Sequence, residues 1–325
     1  MCVRQWPPVA SEDSKINSLV DAASEGDRRS IARLLTLVER GGISAEIVAE
    51  ATHPLAGKSH VIGITGAPGA GKSTLTAYLA RDLAESYHKP AVLAVDPSSP
   101  LTGGAILGDR VRMEEASGAG AFIRSMATRG HAGGLALAVP GMVRVFDAFG
   151  FDPIIIETVG VGQVEVDVAS AADTVVVVVT SGWGDAVQAN KAGLLEIADL
   201  FVVNKADRPG AKDAKRDLEL MIDLSQVTGQ AVRRPEIIMT TATEGEGLDE
   251  LQKAVSEHQQ FLLQDDQISL RRSKRWKAEV SSRLEYLLLE ISKNSIENIE
   301  ENQSSPPNSV ANELLKKLLN KDELH

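Results

Sequence analysis

The stretch Gly66-Ala67-Pro68-Gly69-Ala70-Gly71-Lys72-Ser73-Thr74 constrains this chain more than any other. Its spacing is G-x-x-x-x-G-K-[ST]. Ahead of it runs His60–Thr65, apolar, β-branched and short enough for a buried strand, and behind it Leu75, Leu79 and Leu83 recur at helical spacing. Strand, glycine loop and helix in that order turn successive backbone N–H groups and a helix N-terminus toward one point, which suits a polyphosphate. Lys72 is placed to reach the β- and γ-phosphates, and the Ser73 hydroxyl to sit on Mg²⁺. An ordinary glycine-rich turn needs neither the lysine nor the hydroxyl, so residues 66–74 read as a nucleoside triphosphate loop.

The remaining pattern says what carries this loop. Further strands are expected at Ala91–Val95, Ile154–Glu157, Thr174–Thr180, Phe201–Asn204 and Ile237–Thr240, with helical stretches between nearly all of them. The run Val175–Val179 shows no alternation, so that strand is covered on both faces, as strands of parallel sheets are. The expected fold is α/β: a P-loop NTPase with a doubly wound, mainly parallel sheet and ligands at the strands' carboxyl ends. This nucleotide-binding domain is placed at residues 58–262. Residues 1–57 form an N-terminal helical extension, with helices parted at Gly26-Asp27 and Gly41-Gly42. Residues 263–292 form a long helix with a basic start (Arg271, Arg272, Lys274, Arg275) and a stripe of Trp276, Val280, Leu284, Leu287, Leu288 and Ile291. Residues 293–325 are a polar tail ending in a short amphipathic helix at Val310–Leu319.

Charge and composition exclude several partners. Lys+Arg 34 against Asp+Glu 45 gives a net −11, and aromatic residues are 4%. Both argue against nucleic acid, and the charge argues against an anionic membrane. Cys2 is the single cysteine, so no disulfide forms within the chain, and a reducing cytoplasm is expected. No apolar run is long enough to span a bilayer. Lys321-Asp322-Glu323-Leu324 is followed by His325 and so is not a C-terminal retention signal.

The strand Phe201–Val203 ends in Asn204-Lys205-Ala206-Asp207, an N-K-x-D pattern. Its aspartate can accept from both N1–H and the exocyclic amine of guanine, a donor pair adenine lacks on that edge, so GTP is expected over ATP. Thr241-Ala242-Thr243, after the next strand, stands where a backbone N–H would meet the guanine oxygen. The strand Ile154–Ile156 ends in Glu157-Thr158-Val159-Gly160, a D-x-x-G-like site with Glu for Asp. Its carboxylate suits Mg²⁺ and the Gly160 N–H the γ-phosphate. Asp96 at another strand tip and Asp109 in a long loop are further Mg²⁺ candidates beside Ser73. Each acid alone could equally be a cap or a solvated side chain.

With Asp96-Pro97-Ser98-Ser99-Pro100, Thr102-Gly103-Gly104, Leu107-Gly108-Asp109-Arg110, Glu157–Gln163 and Asn204–Asp207 together, the chain resembles the MeaB/ArgK GTPases, over roughly residues 25–290. These are G-protein chaperones of B12-dependent methylmalonyl-CoA mutase. The resemblance implies a homodimer formed partly through C-terminal helices. It also implies slow GTP hydrolysis that the mutase stimulates, and gating of adenosylcobalamin loading together with removal of inactive cofactor. A third switch loop matches Gly184–Gly193, where Asp185, Gln188 and Lys191 would respond to nucleotide and partner. Ser125–Gly130 is expected to be a loop, in place of a more serine- and proline-rich version in the family.

Hydrolysis needs charge neutralised on the transferring phosphoryl group and a positioned water. Lys72, Glu157, Gln163 and Lys191 are the catalytic candidates, with Arg110, Arg124 and Arg129 as possible arginine fingers. No complete water-positioning set is evident, so slow intrinsic turnover is expected.

Other readings follow from other features. A nickel-type metallochaperone GTPase needs clustered His and Cys, whereas His53, His60, His88, His131, His258 and His325 are scattered. A cobalamin enzyme would use D-x-H-x-x-G, but Arg129-Gly130-His131-Ala132-Gly133-Gly134 has Arg for the leading acid, so no cobalamin is expected on this chain alone. A transport-associated ATPase or kinase for basic amino acids is at odds with the guanine pattern.

Overall fold

The computed structural model describes residues 10–86, 88–96, 115–127, 132–158, 171–182, 191–227, 233–297 and 306–319. Strands β1 (Val61–Gly66), β2 (Ala91–Asp96), β3 (Phe122–Ala127), β4 (Ile154–Thr158), β5 (Thr174–Val179), β6 (Leu200–Asn204) and β7 (Glu236–Thr240) form one sheet in the order β3-β2-β4-β1-β5-β6-β7. Every pairing between neighbours is parallel. From β1 the chain runs to β2 and the edge strand β3, returns to place β4 between β2 and β1, then crosses to β5 and continues outward to β7. Strand β1 therefore ends at a topological switch point, where such sheets bind ligands.

Alternate side chains of the central strands feed two cores. Val175, Val177 and Val179 join Phe201, Val203, Ile154 and Ile156 on one face, while Val176 and Val178 join Ile62, Ile64, Ile155 and Val202 on the other. Burying one such side chain is worth roughly 1.5–3 kcal/mol, so a strand with valine on both faces belongs in the interior of the sheet. The second face is closed by helix α4 (Lys72–Glu85) through Leu75 and Leu79, and by α8 (Leu248–Leu263) through Leu251 and Val255. The first face receives α5 (Ala132–Ala148), α6 (Lys191–Ile197) and α7 (Ala211–Val227).

The N-terminal helices α1 (Ala10–Ser24), α2 (Arg28–Arg40) and α3 (Gly42–Thr52) send Ile16, Ile31, Leu34, Leu35 and Val48 into that same first core. Asp27 starts α2 by accepting from the N–H groups of Arg29 and Ser30. The Arg28 guanidinium donates to the carbonyls of Gly120 (3.0 Å) and Ala121 (2.8 Å) and lies 4.8 Å from the Phe122 ring centroid.

Strand β3 corrects the sequence reading, which has no strand there and makes Ser125–Gly130 a loop. Residues 125–127 pair with Ala94–Asp96 of β2. Its sequence, Phe-Ile-Arg-Ser-Met-Ala, is broken by polar residues because β3 is an edge strand. Phe122 and Met126 are buried, while Arg124 turns to α2 and pairs with Glu39 at 2.5 Å. That ion pair removes Arg124 from the arginine-finger candidates.

Two compact units are distinguished, Met1–Ala278 and Glu279–His325, and helix α9 (Gln267–Glu297) runs across the boundary. It continues past residue 292, through Lys293–Glu297 of the expected polar tail, because no Gly or Pro interrupts the run. Helix α10 (Pro307–Leu319) lies where the second amphipathic segment is expected. The basic start of α9 is spent on two aspartates at the amino ends of the strands. Arg271 grips Asp199 with two hydrogen bonds of 2.7 and 2.8 Å, and Arg272 and Arg275 each reach Asp173 at 3.1 Å. Asp199 also accepts from the Val175 N–H (2.8 Å), and Asp173 from the Val61 N–H (3.0 Å). Burial alone would raise the Asp199 carboxyl, but hydrogen bonds from His258 and Arg271 outweigh it and hold its pKa at about 2.

Candidate nucleotide site

The phosphate loop is shaped by two close approaches. At Gly66 the backbone takes φ +131°, and a Cβ there would stand 2.0 Å from the Val178 carbonyl oxygen on β5. At Gly71, with φ +93°, a Cβ would stand 2.2 Å from Asn204 Nδ2. Both positions require glycine on steric as well as conformational grounds. Helix α4 then begins at Lys72, so its first turn presents the N-terminal end of a helix dipole to the loop. Lys72 is 5% exposed, and its ammonium donates to the carbonyls of Gly66 (2.7 Å) and Ala67 (2.9 Å). It is thus held inside the loop, where a phosphate oxygen could replace a carbonyl.

Beside it, the Ser73 hydroxyl hydrogen-bonds the Glu157 carboxylate, which is buried at the tip of β4. A hydroxyl and a carboxylate in contact at the mouth of a phosphate loop are hard oxygen donors of the kind Mg²⁺ takes. One layer beneath, the Thr158 hydroxyl donates to the Thr65 hydroxyl at 3.0 Å and ties β4 to β1.

Asn204, at the end of β6, joins the phosphate side to the base side. Its amide donates to the Ala70 carbonyl in the phosphate loop (2.8 Å), and its oxygen accepts from the Ala242 N–H and the Thr240 hydroxyl (both 3.1 Å). Lys205 follows with φ +59°, a left-handed conformation that costs a non-glycine residue roughly 1–2 kcal/mol. In that position its ammonium donates to the Gly69 carbonyl at 2.8 Å. Asp207 is exposed in the turn beyond. Backbone strain held where a strand tip meets a ligand loop is what a functional site commonly shows.

The carboxyl ends of β1, β4, β6 and β7 therefore gather Gly66 to Thr74, Glu157, Asn204, Lys205, Asp207, Thr241, Ala242 and Thr243 around one mouth. Asp96 closes β2 on the same rim, but its side chain lies outside the described residues, as does that of Lys191 at the start of α6. Asp109, Gly160, Gln163, Asp185 and Gln188, together with Arg110 and Arg129, also lie outside them. Sequence reasoning missed three contributors: Thr65, Thr158 and Tyr78, whose hydroxyl donates to the Thr243 carbonyl at 3.1 Å. A threonine at a strand end gives no sign of its partner on another strand, and Tyr78 reads as one more helix position.

A glycine-shaped phosphate loop, tied by an asparagine to an N-K-x-D turn on a doubly wound parallel sheet, defines a P-loop GTPase. A family model described as methylmalonyl Co-A mutase-associated GTPase MeaB matches residues 31–296. A Pyrococcus horikoshii protein whose name gives it as an inferred GTPase is 43% identical over 312 residues, 94% of this chain and 98% of its own length. The GTPase ArgK of Escherichia coli is 37% identical over 243 residues, 71% of this chain and 72% of its own. A fused isobutyryl-CoA mutase of Geobacillus kaustophilus is 40% identical over 204 residues, 60% of this chain and 19% of that larger protein. A crystal structure of an LAO/AO transport system kinase matches with a TM-score of 0.65 at 25% identity, covering 94% of this chain and 98% of that one. The chain belongs to the MeaB family of GTPases.

Proposed function

We propose that this GTPase binds GTP with Mg²⁺, hydrolyses it slowly, and works as a homodimer on a B12-dependent acyl-CoA mutase of the methylmalonyl-CoA type. There it gates adenosylcobalamin loading and protects or reactivates the mutase, holding no cobalamin by itself. The observation that carries the nucleotide half is the Asn204 side chain, which bonds the phosphate loop and the loop after β7 at once. A base bound against one loop is thereby set at a fixed distance from phosphates bound in the other. Lys72 neutralises charge on the β- and γ-phosphates. Ser73 and Glu157 hold Mg²⁺, with Asp96 and Asp109 as outer candidates, and the metal when bound spreads the phosphoryl charge. Asp207 takes the guanine N1–H and amine. Gln163 and Lys191 are assigned to water positioning and nucleotide response, Gly160 to the γ-phosphate, and Asp185 and Gln188 to switching and partner contact. Slow turnover fits the commitment of Arg124 to Glu39.

The client half rests on kinship: the family is described by its association with methylmalonyl-CoA mutase, and a fused isobutyryl-CoA mutase carries a segment like this chain. Among the described residues no helix is long and apolar enough to cross a membrane, which fits a site of action in the cytoplasm. The test is GTP turnover by the purified chain with and without each of the two mutases. The expected result is a basal rate well below the roughly 1–100 s⁻¹ of kinases, raised at least about tenfold by one mutase. No stimulation by either mutase would refute the client assignment and leave the GTPase reading intact.

A further inference from the structure

The loop between β7 and α8 is pinned at several points. Thr241 N–H bonds the Glu246 carbonyl (3.0 Å) and Glu244 N–H the Thr241 carbonyl (2.9 Å). Gly247, at φ +74°, brings the chain back so closely that a Cβ would stand 2.0 Å from the Met239 carbonyl. Ala242 N–H is held by Asn204. Of the amides in Thr241-Ala242-Thr243, the first two are thus engaged, while the Thr243 N–H donates to no group among the described residues and Thr243 is exposed. The peptide that carries this remaining donor is flanked by two anchors: Asn204 on the Ala242 N–H before it, and the Tyr78 hydroxyl on the Thr243 carbonyl after it.

Tyr78 is well placed to serve as a fixed anchor. It lies on α4, the helix that opens with Lys72 and Ser73, so one rigid element reaches both the phosphate loop and the loop after β7. The ring is half-buried, and the Arg81 guanidinium covers it at 4.6 Å from the centroid. A second strut, Gln252 Nε2 to Asp82 Oδ2 at 2.8 Å, joins α4 to α8 away from the loop.

We propose that Tyr78 is a positioning residue for base specificity: its hydroxyl holds the Thr243 peptide so that the Thr243 N–H reads the oxygen at position six of guanine. This rests on the guanine reading proposed above and adds to Asp207, which recognises the opposite part of the same edge.

The experiment measures binding of GDP, 6-thio-GDP and ADP to the wild-type chain, Tyr78→Phe and Gln252→Ala by calorimetry. 6-thio-GDP keeps the N1–H and amine for Asp207 and exchanges the oxygen for a weakly accepting sulfur; ADP lacks the whole guanine edge. Tyr78→Phe keeps the ring and its contact with Arg81 and removes only the hydroxyl. The expected result is that wild type prefers GDP over both other nucleotides. Tyr78→Phe should lose about three- to tenfold in GDP affinity, the range for one net hydrogen bond, with 6-thio-GDP and ADP unchanged. Gln252→Ala should keep the wild-type ratios, which shows that loosening α4 against α8 is not sufficient.

Unchanged GDP binding in Tyr78→Phe would overturn the inference, as would an equal loss for all three nucleotides, the mark of a merely structural tie. Equal wild-type affinity for GDP and 6-thio-GDP would overturn it too, since the oxygen would then go unread. Equal wild-type affinity for GDP and ADP would overturn the guanine assignment itself.

Discussion

At the scale of single residues, the site depends on one buried cation and on two glycines that leave no room for a side chain. Lys72→Ala removes the ammonium that Gly66 and Ala67 carbonyls now hold. A charged hydrogen bond is worth roughly 1.5–3 kcal/mol, so nucleotide affinity should fall about 100-fold, measured by calorimetry with GDP, while the fold is retained. Gly66→Ala is a harsher change, because its Cβ would meet backbone on β5 that cannot swing aside. Strain and overpacking together should cost about 2–4 kcal/mol of stability in urea denaturation. Phosphate binding should also be lost, which a variant that only weakened the fold would not show at low temperature. The places of Lys72, Ser73 and Asn204 at the mouth were legible in the sequence because they are set by spacing within one short segment. Thr65, Thr158 and Tyr78 were not, because each acquires its role from a partner far along the chain, and no local pattern records that pairing.

At the scale of elements, the end of the sheet opposite the nucleotide site is held by a chain of buried polar groups. His258 Nε2 stands 3.3 Å from Asp199, and the Thr174 hydroxyl lies within hydrogen-bond distance of both His258 Nδ1 (2.7 Å) and His60 Nε2 (2.8 Å). Thr174→Val would strand two buried ring nitrogens and should cost about 2–4 kcal/mol in urea denaturation. Burial lowers the His60 pKa from 6.5 to about 4, with Asp173 and Asp152 opposing that shift only in part. Its contribution is therefore complete above the unfolded pKa and declines as the unfolded chain takes a proton first. Stability should fall from about pH 6.5 toward pH 4, at no more than about 1.4 kcal/mol per pH unit. Asp199, held at about 2, adds a further loss only below its ordinary 3.8. His60→Gln should flatten the upper part of this profile when midpoints are compared at pH 7.0, 5.5 and 4.5. From the sequence, His60 and His258 were scattered histidines and Arg271–Arg275 a basic patch; only the fold makes them one assembly. Strands β1, β4, β5 and β6 were legible because apolar runs covered on both faces leave a strong local imprint. Strand β3, an edge strand carrying Arg124 and Ser125, leaves none.

At the scale of the molecule, helix α9 is out of keeping with a self-contained monomer. It is the longest of the described helices at 31 residues, and none of its residues is buried. Trp276, Val280, Leu284, Leu287, Leu288 and Ile291 are between 42% and 56% exposed, and their spacing keeps them along one side. An apolar stripe of this length is an unmet demand for burial and marks an association surface. Removing such side chains from water would contribute on the order of 10 kcal/mol, comparable with the roughly 4–15 kcal/mol that ordering two chains costs. At the low end of that cost the surplus is about 6 kcal/mol, which corresponds to a dimer that forms at tens of micromolar, in keeping with the proposed homodimer. Leu284→Glu with Leu288→Glu places two carboxylates in the stripe without touching the nucleotide site. Sedimentation equilibrium should show the wild type at twice the 34.6 kDa chain mass and the double variant at the chain mass. GDP affinity should be the same in both. A wild type that stays monomeric at tens of micromolar would refute self-association through α9; the stripe would then have to meet a different chain.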